Sequence, residues 1–321
     1  GLGCPDWPGC YGNASPLGAR AEIHAAETAM PTGPVTRGKA WVEMVHRYLA
    51  TAVGVLITVL MIASWMERRR AQRAGEARSV SPWWAVATFV AVCLQGAFGA
   101  WTVTMKLYPA IVTAHLLGGV VLLMLLAAQS QAYVQAPLGM SRGVARGAAL
   151  LALLCVVQIA LGGWVSTNYA VLACTDFPTC QGSWWPAMDF EHGFTVLRPL
   201  GIGHDGELIP FAALTAIHVV HRVAAMIVFA AIGLLAWGLW RSGASDQRRW
   251  AMGLMGVAAW QLASGLGNVV LGWPLIAAVA HTGGAGALIT LLTVLLARAH
   301  QARRAATTAL PERPGVAASA A

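Results

Sequence analysis

Seven apolar stretches divide the chain, at about 42–66, 83–103, 110–133, 144–165, 210–239, 250–271 and 275–297. Each is long enough to cross a bilayer as an α-helix, which takes roughly 20 residues. The polar connectors between them are of two kinds. One kind is rich in arginine: Glu67 to Arg70 and on to Arg78, then Arg142 and Arg146, then Arg241, Arg248 and Arg249, and a tail with Arg298, Arg303, Arg304 and Arg313. This set carries 14 basic and 4 acidic residues, and the rest of the chain carries 7 basic and 9 acidic. The two kinds alternate along the chain. Positive charge collects on the cytoplasmic side of membrane proteins. The pattern therefore predicts a multi-pass inner-membrane protein, with its N-terminus outside and its C-terminus in the cytoplasm.

Composition narrows the class further. Of 321 residues, 57% are hydrophobic and 11% charged, with a mean hydropathy of +0.62. A soluble domain carries about 25% charged residues. A soluble enzyme, a disordered chain and a disulfide-stapled miniprotein are excluded. A net charge of +8 would suit nucleic acid, but the positive charge is confined to short connectors between apolar spans. Membrane lipid is the expected surroundings, and nucleic acid is not a partner.

An internal repeat organises the chain. Cys4-Pro5-Asp6-Trp7-Pro8-Gly9-Cys10 and Cys174-Thr175-Asp176-Phe177-Pro178-Thr179-Cys180 share the pattern C-x-D-aromatic-P-x-C. After each comes a loop and then a helix opening with His-Arg, at His46-Arg47 and His221-Arg222. The next span in each half carries Gln-x-x-x-Gly, at Gln95–Gly99 and Gln261–Gly265. A further histidine, His115 or His281, lies 20 residues after each of those glutamines, followed by Gly118-Gly119 or Gly283-Gly284. The expected fold is an all-α integral membrane protein of two tandem four-helix-bundle repeats, residues 1–135 and 136–321. The second unit begins with a span at 144–165 that holds Gln158-x-x-x-Gly162. The first has no counterpart ahead of Cys4, so seven of eight spans are expected, and residues 1–3 are no signal peptide.

Four histidines lie in the outer third of four different spans: His46, His115, His221 and His281. Ionisable groups inside membranes are costly and usually functional, and a paired set is harder to explain as hydrogen-bonded core. Neutral imidazole suits iron, copper or zinc. Copper or zinc calls for a third or fourth ligand, and no Cys or Met recurs at matching positions. Two facing histidines in a bundle can hold a heme on both faces, with nearby glycines letting a flat macrocycle approach. The expectation is one heme site per half.

Arg47 and Arg222 follow the first histidine of each pair. A guanidinium can clamp a carboxylate such as a heme propionate, or simply snorkel to the interface. Glu43 lies one turn outward of His46 on the same face, and His218 holds the equivalent position in the second half. Glu43 can serve proton delivery or substrate positioning; the plain alternative is an i,i+4 salt bridge to Arg47. His218 is either a hydrogen-bonded neighbour or an alternative ligand to His221. His24, His192, His204 and His300 lie in loops or the tail. The spacing of Cys4 with Cys10 and of Cys174 with Cys180 allows a disulfide in each outer turn, either a structural staple or a redox-active pair. Cys93 and Cys155 sit alone in apolar spans as small core residues.

These motifs together resemble the heme A synthase family over nearly the whole chain. The resemblance rests on Gly3-Cys4-Pro5-Asp6-Trp7-Pro8, Glu43-x-x-His46-Arg47, Cys174-x-Asp176-x-Pro178-x-Cys180 and the four spaced histidines. It implies a membrane oxidoreductase with eight helices in two four-helix bundles. Such an enzyme oxidises the C8 methyl of heme O to a formyl, with heme b as electron relay. His221 and His281 would then ligate heme b. His46 and His115 would line the heme O site, with Glu43 as its essential acid. An electron donor, heme O synthase and cytochrome oxidase assembly factors are the implied partners. His218 departs from the family's pattern, in which a non-ligating residue is expected there. A di-heme electron carrier of cytochrome b type and a heme transporter or chaperone are the competing readings.

Overall fold

The computed structural model describes residues 2–76, 80–203 and 205–308; Gly1, Arg78, His204 and Arg313 lie outside the described residues. Among the described residues the structure is all-helical. Short α1 (Arg20–Ala29) precedes α2 (Arg37–Ala74), α3 (Trp83–Thr104), α4 (Pro109–Val134) and α5 (Arg142–Thr167). A 3-10 turn, Ala170–Ala173, and short α6 (Phe190–Phe194) lead to α7 (Phe211–Arg241), α8 (Ser245–Val270) and α9 (Leu275–Thr308).

Local chemistry explains the ends. Thr36 caps α2 by accepting from Lys39 N, and Ser141 caps α5 by accepting from Val144 N. Pro109 opens α4, where a missing N–H costs nothing. Gly75 ends α2 at φ +68°. With 38 residues α2 is about 57 Å long at 1.5 Å per residue, well beyond the roughly 30 Å hydrocarbon core, so its Arg68–Arg73 end runs on past it.

Six of these helices, α2 to α5, α7 and α9, are long and apolar enough to cross a membrane. The seventh expected span corresponds to α8, which has the length at 26 residues. Its lower apolarity has a cause: Asp246, Arg248 and Arg249 open it, and Gln261, Ser264 and Asn268 follow near its outer end. It packs between α7 and α9.

The packing order is simple. Helices α5, α7, α8 and α9 close a ring, each touching the next, with α9 returning to α5. In the other half α2 packs on α3 and α3 on α4, and α4 joins the ring through α5 and α9. Between lipid-bathed helices the gain comes from close packing rather than escape from water. The main buried cluster supplies it, with Leu151, Cys155, Ile232, Leu239, Leu254, Ile289, Leu292 and Leu295. Truncating one such leucine leaves a cavity that costs about 2–5 kcal/mol. This cluster occupies the end of the ring nearer the arginine-rich connectors. It stops at Val228 on α7 and Leu288 on α9, each seven residues, about 10 Å, short of the histidine on the same helix.

Candidate heme-binding sites

The outer loops set the frame. Cys4 is bonded to Cys10 and Cys174 to Cys180, and all four are buried. In the first loop Asp6 accepts from Tyr11 N at 2.6 Å and Gly12 N at 2.7 Å. In the second, Asp176 accepts from Gln181 N at 2.8 Å, Gly182 N at 3.0 Å and the Thr179 hydroxyl at 2.5 Å. The Thr179 hydroxyl and these amides hold the Asp176 carboxyl well down, at about 2. Gly12 and Gly182 both stand at φ +72°, where the tight turn needs glycine. These two glycines belong to the repeated motif, and the pattern C-x-D-aromatic-P-x-C stops short of them.

Each loop is tied to the helix that carries the first histidine. The Arg47 guanidinium donates to Pro8 O at 3.1 Å and to Gly9 O. The Arg222 guanidinium donates to Asp176 O and Thr179 O, both at 2.9 Å, and to Cys174 O at 3.0 Å. The two arginines expected as propionate clamps are thus engaged with loop carbonyls, and of Arg222 the Nε–H stays buried without a partner. Glu43 pairs with Arg47 through Oε1, while its Oε2 accepts from Gly3 N at 2.6 Å and Cys4 N at 3.2 Å. The salt bridge weighed as the plain alternative is present, and the carboxylate anchors the start of the loop as well. His218, buried at the equivalent position, bonds Ala170 O through Nδ1 at 3.0 Å. It is the hydrogen-bonded neighbour of the two options considered.

The four histidines fall into two pairs, the members of each on different helices. His46 on α2 lies within electrostatic reach of His115 on α4, and His221 on α7 within reach of His281 on α9. Three of them rest in glycine notches on a neighbouring helix. A Cβ at Gly99, Gly162 or Gly265 would stand 3.1, 3.0 or 3.2 Å from Cε1 of His115, His221 or His281. The Gln-x-x-x-Gly motif therefore acts as a unit: the glycine admits the ring, and the glutamine one turn away holds the histidine. Gln95 donates to His115 O at 2.6 Å. Gln261, with its amide oriented to satisfy both ends, donates to His281 O at 2.9 Å and accepts from Ala285 N at 3.1 Å. The Gln158 amide lies 3.0 Å from His221 Nδ1 and 3.1 Å from His221 O.

Two expectations change here. Gly118, Gly119 and Gly284 face the Gln95 and Gln261 amides and admit those side chains, while Gly283 faces open space. His192 is held between Asp189 at 2.7 Å and Asp205 at 3.3 Å in the second outer loop, although its sequence position suggested no role. That loop is also pinned by Arg198, buried at 2% exposure, which donates to Asn168 Oδ1 at 2.7 Å and Ile202 O at 3.1 Å and lies over Trp164. His24 and His300 are exposed.

The arrangement can do one thing plainly. Two imidazoles facing each other within a bundle can ligate one iron from both sides, and the outer end of the ring lies beyond the packed core. Among the described residues no three His, Cys, Asp or Glu side chains gather to hold a bare metal ion. The fold and site together define a multi-pass helical membrane protein with histidine pairs in its outer half. Residues 1–293 match the COX15-CtaA model, cytochrome oxidase assembly protein, and the chain belongs to that family. It is similar to the heme A synthase of Shewanella oneidensis, 34% identical over 300 residues that take in 92% of this chain and 87% of that protein. It is similar also to those of Alkalihalophilus pseudofirmus, 29% identical over 59% of this chain and 58% of that protein, and Methylobacterium radiotolerans, 28% over 78% and 66%.

Proposed function

We propose that the chain is a heme A synthase, oxidising the C8 methyl of heme O to a formyl group by successive hydroxylation. The observation that carries this is the pairing of His46 with His115 and His221 with His281 in separate halves, in a chain whose relatives bear that name. The two halves are related units: corresponding loops, arginines, glutamines and glycines make matching contacts in each. All seven long helices, α8 included, cross the membrane, with the arginine-rich connectors in the cytoplasm.

The C-terminal pair suits heme b. His221 and His281 lie in a closed ring, each ring seated in a glycine notch with a polar partner at Nδ1. Ligation through His221 Nε2 places the proton on Nδ1, and Gln158 accepts it when its amide turns to present Oε1. When bound there, heme b supplies one-electron transfer from a donor. His46 and His115 hold the substrate, heme O. Glu43, one turn outward, manages protons at the outer end of that site. Arg47 and Arg222 position the loops, and a propionate would reach them beside the loop carbonyls. The buried disulfides act as staples for those loops. An electron donor, heme O synthase and cytochrome oxidase assembly factors are the partners this activity implies.

The test is pigment analysis of the purified protein from cells that make heme O. Heme b with heme O or heme A supports the proposal. Heme b alone, at two per chain, supports the di-heme carrier instead.

A further inference from the structure

The two halves part company at one residue beside the ligands. In α8 the face that receives His281 carries Gln261, Ser264 and Gly265; in α3 the face that receives His115 carries Gln95, Phe98 and Gly99. Both imidazoles occupy the same kind of notch, with Cε1 3.1 Å from a Cβ at Gly99 and 3.2 Å from one at Gly265. What lies beside Nδ1 differs. Ser264 Oγ is 3.1 Å from His281 Nδ1. His115 Nδ1 is buried with no partner, and Phe98 instead stacks edge-on with Trp101 at 5.1 Å between centroids.

The direction of the serine bond follows from its other contacts. Ser264 Oγ lies 2.8 Å from Trp260 O and 3.3 Å from Gln261 O. Carbonyls only accept, so the single hydroxyl proton goes to one of them. The oxygen's lone pairs are then what face the imidazole, and Nδ1–H donates to them. This fixes the tautomer with the Nε2 lone pair free for a metal. A ligand histidine whose other nitrogen donates is a stronger and better-oriented ligand. His115 has neither constraint: its tautomer and ring angle are not set by a partner at Nδ1.

We propose that Ser264 is a positioning residue that makes His281 a lasting ligand, and that Phe98 in its place leaves His115 an exchangeable one. A resident cofactor needs the first and a substrate that enters and leaves as product needs the second. This rests on the proposed assignment of heme b to the C-terminal pair and heme O to the N-terminal pair.

The experiment uses the purified, heme-loaded protein. Heme b loss is followed by transfer to apomyoglobin, with the low-spin spectrum and midpoint potential recorded beside it. Ser264→Ala should speed heme b loss about tenfold, the lower end of what an outer-shell ligand partner contributes, and move the potential positive. Ser264→Thr, which keeps a hydroxyl, should restore both. Phe98→Ser should raise the amount of heme O and heme A retained through washing, and Phe98→Ala, which removes the ring without adding an acceptor, should not. An unchanged rate and potential in Ser264→Ala overturns the proposal, as does a threonine variant as defective as the alanine one. Phe98→Ser retaining no more than wild type overturns its second half. If the wild-type heme b spectrum survives His281→Ala, the assignment of the cofactor site has failed instead, a result these outcomes do not mimic.

Discussion

Glu43 separates a structural from a chemical role most sharply. Its carboxylate is 19% exposed and meets three donors: Gly3 N, Cys4 N and the Arg47 guanidinium. Glu43→Gln keeps the shape but turns an amide nitrogen toward one set of donors. Hydrogen bonds to charged groups contribute about 1.5–3 kcal/mol each. Losing one at a site that keeps some water contact costs about 2 kcal/mol in the attachment of the Cys4–Cys10 loop. That is roughly a 30-fold increase in loop opening at 1.36 kcal/mol per decade. Because Cys4 and Cys10 are both fully buried, a membrane-impermeant reductant reaches the disulfide only through that opening, so its rate reports the equilibrium. The chemical reading adds a second outcome: heme b, held in the other half, stays at wild-type stoichiometry while heme A yield collapses. Tyr48→Phe is the control, since it cuts another tie of the same loop, Tyr48 Oη to Ala14 O at 2.6 Å, and leaves the carboxylate alone. It should loosen the loop and preserve heme A yield. Normal heme A from Glu43→Gln refutes the catalytic role, and an unchanged reduction rate refutes the hydrogen-bond arithmetic.

Arg222→Ala removes three bonds to loop carbonyls and should weaken the second loop by about 3 kcal/mol, with reduction of Cys174–Cys180 roughly 100-fold faster; Arg222→Lys should recover only part, because an ammonium does not span the fork. Replacing either His221 or His281 by Ala should abolish the bis-imidazole optical signature of heme b, and its survival in both variants would move attention to His218. Burial opposes protonation of His192, but its bonds to Asp205 and Asp189 outweigh this and raise its pKa above 6.5, while their own carboxyls are held below 3.8, chiefly by the backbone N–H groups of Glu207 and His192. The His192 contribution is complete below about pH 6.5 and lost as pH rises through the raised value; the aspartate contribution is present above about pH 4 and lost on acidification. Proteolysis of the 189–209 loop should therefore be slowest between those limits, and an equal rate at pH 6 and pH 8.5 would contradict the clamp.

The long helices and the candidate histidines were legible because both signals are strong over short windows. A span of 20 apolar residues has few alternatives in lipid, and a histidine inside one stands out. Helix α8 was legible as the 250–271 stretch even though the residues that serve the histidine, Gln261 and Ser264, are polar and lower its apolarity. The second layer of the site was hidden for a different reason. Ser264 in isolation is a small helical residue that bonds its own preceding carbonyls; its reach to His281 exists only when α8 and α9 pack. Arg198 gave no signal at all, since a loop arginine is ordinarily solvated, and only the fold buries it against Asn168 and Trp164. The glycines after His115 and His281 were visible, but their neighbours were not, and three of the four, Gly118, Gly119 and Gly284, meet glutamine amides.

Two of the places where corresponding positions differ bear on how a site treats its occupant. Where the N-terminal half has Glu43, an ion-paired group at the outer surface, the C-terminal half has His218, buried on a carbonyl. Where the C-terminal half has Ser264 at a ligand's Nδ1, the N-terminal half has Phe98. The first difference puts an ion-paired carboxylate one turn from His46 and a carbonyl-bonded imidazole one turn from His221. The second gives His281 Nδ1 a hydroxyl partner and leaves His115 Nδ1 without one. Both fit the proposed division, with turnover in the N-terminal site and retention in the C-terminal one. A swap of the two residues at each position, Phe98→Ser with Ser264→Phe, should therefore shift retention between the sites rather than weaken both alike. Equal loss of heme b and of heme O in that double variant would show that these positions serve packing alone.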